Sequence, residues 1–316
     1  MFPFKEDKNK IQNDSVISEI IDDSLVLESE IEKKYNKISP YKVVWKRLLK
    51  NKLAMFGLAI VIIMAIIAIF APFISPYNPN DRIKELSQRG PSIQHWFGTD
   101  LLGRDIFSRV LFGARISMLV GVVAVAISLA IGLFFGALSG FFGGLPDAFI
   151  MRFADIFFAL PYILGAIAIM TVMGPGVFNI FIALGILGWS SVARLFRSSI
   201  LSIKEKEYIE AARALGASNS RIIVKHILPN SFAPIIVYST MNVGTAIIAE
   251  AALSFLGLGV QPPTPSWGKM LSESLGYINT SPWMMFFPGL AILITCLGFV
   301  LLGDGLRDAF DPKSGR

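Results

Sequence analysis

Six apolar runs, each about 20 residues long, restrict this 316-residue chain more than any other feature of its sequence. An α-helix rises about 1.5 Å per residue, so a run of this length crosses the roughly 30 Å of hydrocarbon in a bilayer. Lipid cannot satisfy free backbone amides, and no run has the two-residue alternation of a barrel strand. The sequence therefore predicts an all-α, polytopic membrane protein with six transmembrane helices at residues 53–73, 116–138, 148–173, 177–198, 233–259 and 284–302.

The composition agrees with this class and argues against several others. Hydrophobic residues make up 53% of the chain and charged residues 16%, which is far from the composition of a soluble protein. The net charge of +6 is distributed between the apolar blocks, which argues against nucleic-acid binding. The single cysteine, Cys296, excludes an intrachain disulfide. His95 and His226 have no further ligands at metal-binding spacing, so no metal site is expected.

Three regions are expected along the chain. Residues 1–40 contain nine acidic residues and no sustained apolar period, so they are predicted to form a polar, disordered cytoplasmic tail. Residues 41–112 are expected to hold an N-terminal helix, the first span and an external loop. Residues 113–312 are expected to form the core transmembrane domain, with a hairpin at 204–229.

The orientation in the membrane follows from lysine and arginine, which are retained in short cytoplasmic loops. Eleven of these residues precede residue 53, seven lie between the fourth and fifth spans, and three follow the last span. With six spans, all three groups share one side, so both termini are predicted to be cytoplasmic. The segment 75–115 is a partial exception, because it places six basic residues outside.

The polar segment after the fourth span is predicted to form two short helices joined by a sharp turn. The first helix covers about 204–215, and Gly216 follows where a helix C-terminus favours a residue with positive φ. Ser218 is a suitable N-cap for a second helix at 221–228, which Pro229 is expected to end.

The first of these helices has a nearly smooth surface, because it carries Ala211, Ala212 and Ala214. Such a surface suits a groove on a partner protein better than it suits chemistry. Long cytoplasmic loops of other membrane proteins also form amphipathic helices, so the pattern alone is equally compatible with a loop that docks nothing.

One pattern in this segment resembles a known family. Glu210-Ala211-Ala212, Gly216 and the pair Leu228-Pro229 together are similar to the EAA motif of permease subunits in bacterial ABC importers. His226 departs from the motif, since the family often has an apolar residue at this position. The resemblance implies a coupling helix that seats in a cleft of a cytoplasmic ATPase, with Glu210 and Gly216 as docking residues. The other residues implied in docking are Tyr208, Ala211, Ala212, Leu228 and Pro229.

Further stretches resemble the C-type permease of dipeptide and oligopeptide importers, and this likeness covers about 41–312. They are WKRLLKNKLAMFGLAIV before the first span and residues 97–118, 250–271 and 303–312. The resemblance implies a type I ABC importer permease fold in the bacterial inner membrane, with no catalytic, cofactor or metal site in this chain. It also implies a sister permease, two cytoplasmic subunits that bind ATP and Mg, and an extracytoplasmic peptide-binding protein. Nickel and glutathione importers belong to the same branch, so both are alternatives to a peptide substrate.

Charged residues inside the spans are costly in lipid and are expected to face protein or water. Arg152 lies one helical turn before Asp155, and the two are predicted to form an ion pair or to lie on the translocation path. Glu250 is placed in the fifth span, where it either lines the path or holds helices together.

Glycines and prolines predict how the spans pack and bend. Gly132, Gly136 and Gly140 recur every four residues in the second span and would allow a neighbouring helix to approach closely. The candidate helix breaks are Pro161, Pro175 and Pro234.

The segment 261–283 is predicted to be a rigid turn followed by an interfacial helix, which Trp267 and Trp283 anchor in the membrane. With residues 98–104, it is a candidate contact for the binding protein that the resemblance implies. Membrane anchoring alone would explain the tryptophans equally well.

Three other classes of protein fit the sequence less well. A secondary transporter should have repeated halves and ion-coupling carboxylates near mid-membrane, and neither is evident. A membrane enzyme would need clustered polar residues of catalytic type at one depth, and a fused ATPase would need a glycine-rich phosphate loop. The sequence contains neither, so ATP is expected to be bound by other subunits.

Overall fold

The computed structural model describes residues 40–311 of the chain. This part is almost entirely helical, and its strand-like pairing is limited to one isolated bridge between Thr99 and Asp105. Most of the predicted polar tail therefore lies outside the described residues. The chain divides into two compact units at residue 50, and the described part of the first unit is a short helix, α1 (Pro40–Lys50).

Five helices in the described range are long and apolar enough to cross a membrane. They are α2 (Lys52–Ile74), α3 (Ile106–Phe142), α6 (Val177–Ile203), α10 (Phe232–Phe255) and α12 (Trp283–Phe310). These helices confirm five of the six predicted spans. Short 3₁₀ turns at Lys84–Leu86 and Leu275–Tyr277 lie in the loops that connect them.

The third predicted span is divided into two helices. It consists of α4 (Gly144–Ala159) and α5 (Tyr162–Met173), which meet at an angle of 92°. Pro161 lies at the break, where it lacks a backbone N–H and its ring would clash with the carbonyl four residues earlier. The predicted break at Pro161 is confirmed, and six spans are obtained when the bent pair is counted as one.

The second span is much longer than its hydropathy suggested, because α3 begins ten residues before the predicted start at residue 116. Asp105 caps the helix, and its carboxylate accepts a hydrogen bond from Ser108 N at 2.7 Å. Arg109 and Arg115 lower the local hydropathy, although the backbone there is already helical. Capping, and not hydropathy, therefore sets the start of this helix.

The most extensive helix–helix contact in the described part of the chain is between α3 and α6, which pack closely together. A Cβ added to Gly136 would lie 2.8 Å from Ala193 O, and one added to Gly140 would lie 2.9 Å from Ile200 Cβ. Only glycine permits this approach, as the four-residue glycine spacing predicted.

A short helix, α11 (Trp267–Ser274), packs beside the ends of α3 and α10. Trp267 is fully buried, and its indole N–H donates to Val110 O at 3.0 Å. Trp283 similarly donates to Thr99 O at 3.3 Å. The predicted membrane-anchoring role of Trp267 was wrong, because a buried carbonyl, and not the lipid interface, satisfies its N–H donor.

Candidate functional site

The candidate site is the hairpin between α6 and α10. It contains α7 (Glu207–Ala214), α8 (Asn219–Ile222), a widened π-type turn (Ile223–Ile227) and a last helical turn, α9 (Leu228–Asn230). The first helix is shorter than predicted because Lys206 has an extended backbone and acts as its N-cap.

A tight turn reverses the chain after α7. Gly216 has a φ of +80°, and its N–H donates to Arg213 O at 2.9 Å. Ala217 N donates to Ala212 O at 3.0 Å, so the last carbonyls of the helix are satisfied. Ser218 then caps the next helix by accepting from Arg221 N at 3.4 Å. The helix-ending glycine and the serine cap are both confirmed.

The second helix of the hairpin does not stop at Pro229 as predicted. Leu228 N donates to the carbonyl of Ile223, five residues earlier, and Ser231 N donates to Ile227 O at 2.9 Å. In a regular α-helix, the Pro229 ring would clash with the carbonyl of Lys225. The wider turn accommodates the ring, so helical structure continues past Pro229 to Asn230, and Ser231 is the single turn residue before α10.

The inner side of the hairpin is apolar and closely packed. Ile209, Ile222 and Ile227 are fully buried, and each contributes about 1.5 to 3 kcal/mol through burial. They join a cluster with residues of α6 and α10, namely Phe196, Ile200 and Ile235. The hairpin is therefore fixed to the ends of two spans.

The outer side exposes the residues that the EAA-like pattern singled out. Glu210, Ala211, Gly216 and Pro229 are exposed, whereas Ala212 and Leu228 are half-buried. Tyr208 on α7 is 44% exposed and Leu215, the C-cap of α7, is 89% exposed, and both lie on the same side as Ala211. This exposed apolar stripe, Tyr208-Ala211-Leu215, was not predicted, although the spacing of Tyr208 and Leu215 indicates it.

One contact links the hairpin to the second span. The guanidinium of Arg213 lies over the ring of Phe141, 5.5 Å from its centroid, in the range of a cation–π interaction. Phe141 is in the last turn of α3, so α7 contacts a third spanning helix in addition to α6 and α10.

The predicted pairing of Arg152 with Asp155 was wrong. Asp155 accepts a hydrogen bond from an Arg194 terminal nitrogen at 2.8 Å, and the Arg194 guanidinium also lies 4.0 Å from the Phe158 ring centroid. Arg152 is exposed. Arg194 satisfies both Asp155 and the aromatic face from the neighbouring α6, which Arg152 on the same helix does not do.

A second ion pair near the hairpin had not been predicted. Arg197 donates two hydrogen bonds of 2.6 Å to the carboxylate of Asp147, and Ser139 donates to the same carboxylate. Asp147 is in the first turn of α4, so the pair connects α4 to α6. Because 50 residues separate the partners, nothing in the local sequence indicated the contact.

Glu250 lies at a junction of α3, α10 and the following loop. Its carboxylate accepts from Ser117 Oγ at 2.8 Å and from Ser254 Oγ at 2.7 Å, and the residue is fully buried. Ser254 Oγ in turn accepts from Val260 N at 3.0 Å. Of the two predicted roles, this geometry corresponds to holding helices together.

The loop between α2 and α3 is connected to α11 through charged side chains. Arg104 donates to Asp100 at 2.5 Å and to Glu273 of α11 at 2.8 Å, while Arg109 lies 3.5 Å from Glu273. His95 and Asp105 are hydrogen-bonded at 2.8 Å.

Across residues 40–311, no group of three or more His, Cys, Asp or Glu side chains is arranged to hold a metal ion.

Comparison with solved structures identifies the architecture. The chain is similar to the inward-facing MetNI methionine ABC transporter, with a TM-score of 0.55 over 65% of this chain and 98% of that chain. The sequence identity is 19%, so this likeness concerns the fold alone.

Several curated proteins are similar over most of their length. The dipeptide transport system permease protein DppC of Alkalihalophilus pseudofirmus is 50% identical over 89% of this chain and 93% of its own. The glutathione transport system permease protein GsiD of Escherichia coli O157:H7 is 49% identical over 87% and 91%. The oligopeptide transport system permease protein OppC of Bacillus subtilis is 48% identical over 87% and 90%.

Two family models match separate parts of the chain. Residues 39–91 match the N-terminal transmembrane domain of oligopeptide transport permease C. Residues 132–316, more than half of the chain, match the binding-protein-dependent transport system inner membrane component. With its spanning helices and its close relatives, the chain belongs to this family of ABC importer permeases.

Proposed function

We propose that this chain forms the translocation path of an ATP-driven importer together with a sister permease, and that its hairpin is the contact for a separate ATPase. The observation that carries the proposal is the two-sided hairpin. One side is buried against α6 and α10, and the other exposes the Tyr208-Ala211-Leu215 stripe. An exposed apolar stripe on a well-packed element is typical of a protein–protein contact.

The two sides have different roles in this mechanism. The exposed stripe inserts into a cleft of the ATPase, with Glu210 beside it as a polar contact and Gly216 fixing the turn. When ATP binding closes the ATPase pair, the hairpin is displaced. The isoleucines on its inner side pass the displacement to α6 and α10, because a packed core moves as a unit and resists deformation.

The proposed partners are a sister permease, two cytoplasmic ATP-binding subunits, an extracytoplasmic binding protein and the surrounding lipid. ATP and Mg are bound by the ATP-binding subunits, and neither a cofactor nor a catalytic residue is proposed for this chain. The basic residues around the hairpin support a cytoplasmic location for the hairpin in a bacterial inner-membrane protein. Both termini would then lie on the same side of the membrane as the hairpin.

The proposed substrates are dipeptides and oligopeptides. Two similar permeases, of dipeptide and oligopeptide transport systems, support this substrate class. A third similar permease transports glutathione, which is itself a small peptide. Uptake of labelled dipeptide, oligopeptide, glutathione and nickel by the same vesicles distinguishes these substrates.

The docking role is tested by the double substitution Gly216→Pro and Glu210→Arg in a chain co-expressed with its partners. We expect the ATPase to be lost on purification and peptide-stimulated ATP hydrolysis in vesicles to fall at least about tenfold, because the turn and the polar contact are both removed. Glu205→Arg, an exposed charge reversal just before α7, is the matched control and should retain assembly. Retained assembly and full coupling in the double variant would refute the docking role.

A further inference from the structure

A cavity of about 190 Å³ lies between α3, α5, α6 and α10. One water needs only about 10 to 15 Å³ by the same measure, so the cavity is large enough for a small polar group. Thr245 is exposed, and Tyr162, Tyr238 and Asn242 are half-buried, so the cavity is not sealed. It is located within the spanning helices, about two helical turns after the hairpin and about one turn before Glu250 along α10.

The lining of the cavity is uncharged, and it combines several hydrogen-bonding side chains with a larger share of apolar surface. Among the twelve lining residues, all of them in the described part of the chain, there is no Asp, Glu, Lys, Arg or His. The side chains that can form hydrogen bonds are Ser128, Tyr162, Ser191, Tyr238, Asn242 and Thr245. The remaining lining residues are small or aliphatic.

Several of these polar groups retain hydrogen-bonding capacity. Asn242 uses one amide hydrogen on the carbonyl of Tyr238 at 2.8 Å, which leaves its side-chain oxygen and second hydrogen available. Ser128 and Tyr162 donate to backbone carbonyls of α6, at 2.9 and 3.4 Å, and can still accept. Donors and acceptors of this kind match the N–H and C=O groups of a peptide backbone.

We infer that this cavity is a site on the translocation path that binds the main chain of a passing peptide and does not select its side-chain charge. The inference rests on the proposed peptide importer function and identifies where and how this chain contacts its substrate. A charged lining would admit peptides of the opposite charge and repel those of the same charge, whereas neutral hydrogen-bonding groups admit anionic and cationic peptides at similar rates. Asn242 and Thr245 are the central contacts.

The test measures uptake of a neutral, an anionic and a cationic tripeptide by the full complex, with its sister permease, ATPases and binding protein, in vesicles. Asn242→Asp changes the charge of the cavity with almost no change in shape. We expect the ratio of anionic to cationic uptake to fall at least about tenfold, while neutral uptake stays closer to the unsubstituted level. Asn78→Asp is the control: Asn78 is exposed in a loop, its Oδ1 accepts from Asn80 N at 3.0 Å, and aspartate retains that bond.

A second measurement does not depend on how well Asn242→Asp folds. Thr245→Cys, in a Cys296→Ser background, is reacted after assembly with a negatively or a positively charged thiol reagent. The two labels should shift the anionic-to-cationic uptake ratio in opposite directions. An unchanged ratio after either label, or equal loss of all three peptides, would overturn the inference.

The failure of the inference differs from the failure of the proposed function. If the unsubstituted complex transports none of the three peptides, the peptide importer function is wrong. If it transports all three and the charge substitutions leave the ratio unchanged, only the assignment of the cavity is wrong.

Discussion

At the scale of single residues, Glu250 connects two spanning helices and a loop through serine hydroxyl groups. Its burial is supported by these donors, since a polar group inside a membrane protein must find partners in the protein itself. Ser254 relays the contact to the backbone of Val260, at the start of the segment that leads to α11. These contacts favour the packing role for Glu250 over a place on the translocation path.

This assignment predicts the effect of Glu250→Leu on stability. The substitution leaves Ser117 and Ser254 without their shared acceptor, at a cost of about 1 to 3 kcal/mol for each unpaired hydroxyl group. Glu250→Gln retains an acceptor oxygen and should cost less. Thermal unfolding of the detergent-solubilised complex measures both changes.

Thr295→Val is the matched control for this prediction. Thr295 is also fully buried, but its hydroxyl donates only to Ala291 O within its own helix, at 2.7 Å. A smaller loss of stability is expected. If Glu250→Leu leaves unfolding unchanged and alters only peptide uptake, Glu250 lines the path instead.

The ion pair of Asp155 illustrates which residue contacts the sequence could not predict. Positions on one helix are neighbours by a fixed geometry, so Arg152 was the expected partner. The observed partner, Arg194, comes from the adjacent α6, and its position depends on how α4 and α6 pack. The packing glycines were predictable because their spacing is local, whereas the pairing of distant charges was not.

At the scale of elements, the hairpin is fixed by its buried isoleucines and exposes a neighbouring apolar residue. Ile222 is fully buried, while Val224, two residues later, is 60% exposed. These two residues allow the contribution of packing to be separated from that of hydrophobic surface.

Ile222→Ala should loosen the hairpin locally. Truncation of a buried isoleucine to alanine typically lowers the free energy of unfolding by about 2 to 5 kcal/mol. Part of this loss would weaken the packing of the hairpin against α6 and α10. We expect faster amide hydrogen exchange in α7 and α8, measured by mass spectrometry on the purified complex, together with weaker coupling of ATP hydrolysis to peptide. Val224→Ala serves as the control, and equal exchange in the two variants would contradict a packed hairpin.

Most of the hairpin could be predicted from sequence because its signals are local. Gly216 and Ser218 were identified from the backbone conformations that they favour, and both have the expected roles. The widened turn before Pro229 was missed, because proline normally indicates the end of a helix. The position of this widened turn depends on the packing of Ile227 in the core. Local sequence propensity carries no information about that packing.

At the scale of the whole molecule, the apolar runs predicted five of the six spans directly. Pro161 marked the break in the remaining span, which is the third along the chain. The 92° angle at that break depends on the contacts of α4 and α5 with α6 and was not predictable from the proline alone. The loop before α3 was also beyond prediction, since Arg104 and Glu273 are 169 residues apart.

The proposed orientation predicts which surfaces an impermeant thiol reagent reaches. In a Cys296→Ser background, Ile93→Cys should be labelled in intact cells whose outer barrier is permeable to the reagent, because Ile93 is 96% exposed in the predicted external loop. Leu215→Cys, at an 89% exposed position of the hairpin, should be labelled only after the inner membrane is opened. Labelling in the reverse order would place the hairpin outside and would exclude contact with a cytoplasmic ATPase.

The hydrogen-bonded connection between the hairpin and α10 has a mechanical consequence. Because hydrogen bonds run from Ile227 through Ser231 to Ile235, no flexible linker separates the two elements. The 24 residues of α10 form a rod of about 36 Å, so a tilt of about 10° at its base would displace its far end by about 6 Å. A small tilt of α10 at the membrane surface would thus move its far end by a distance large enough to open or close a passage for a peptide.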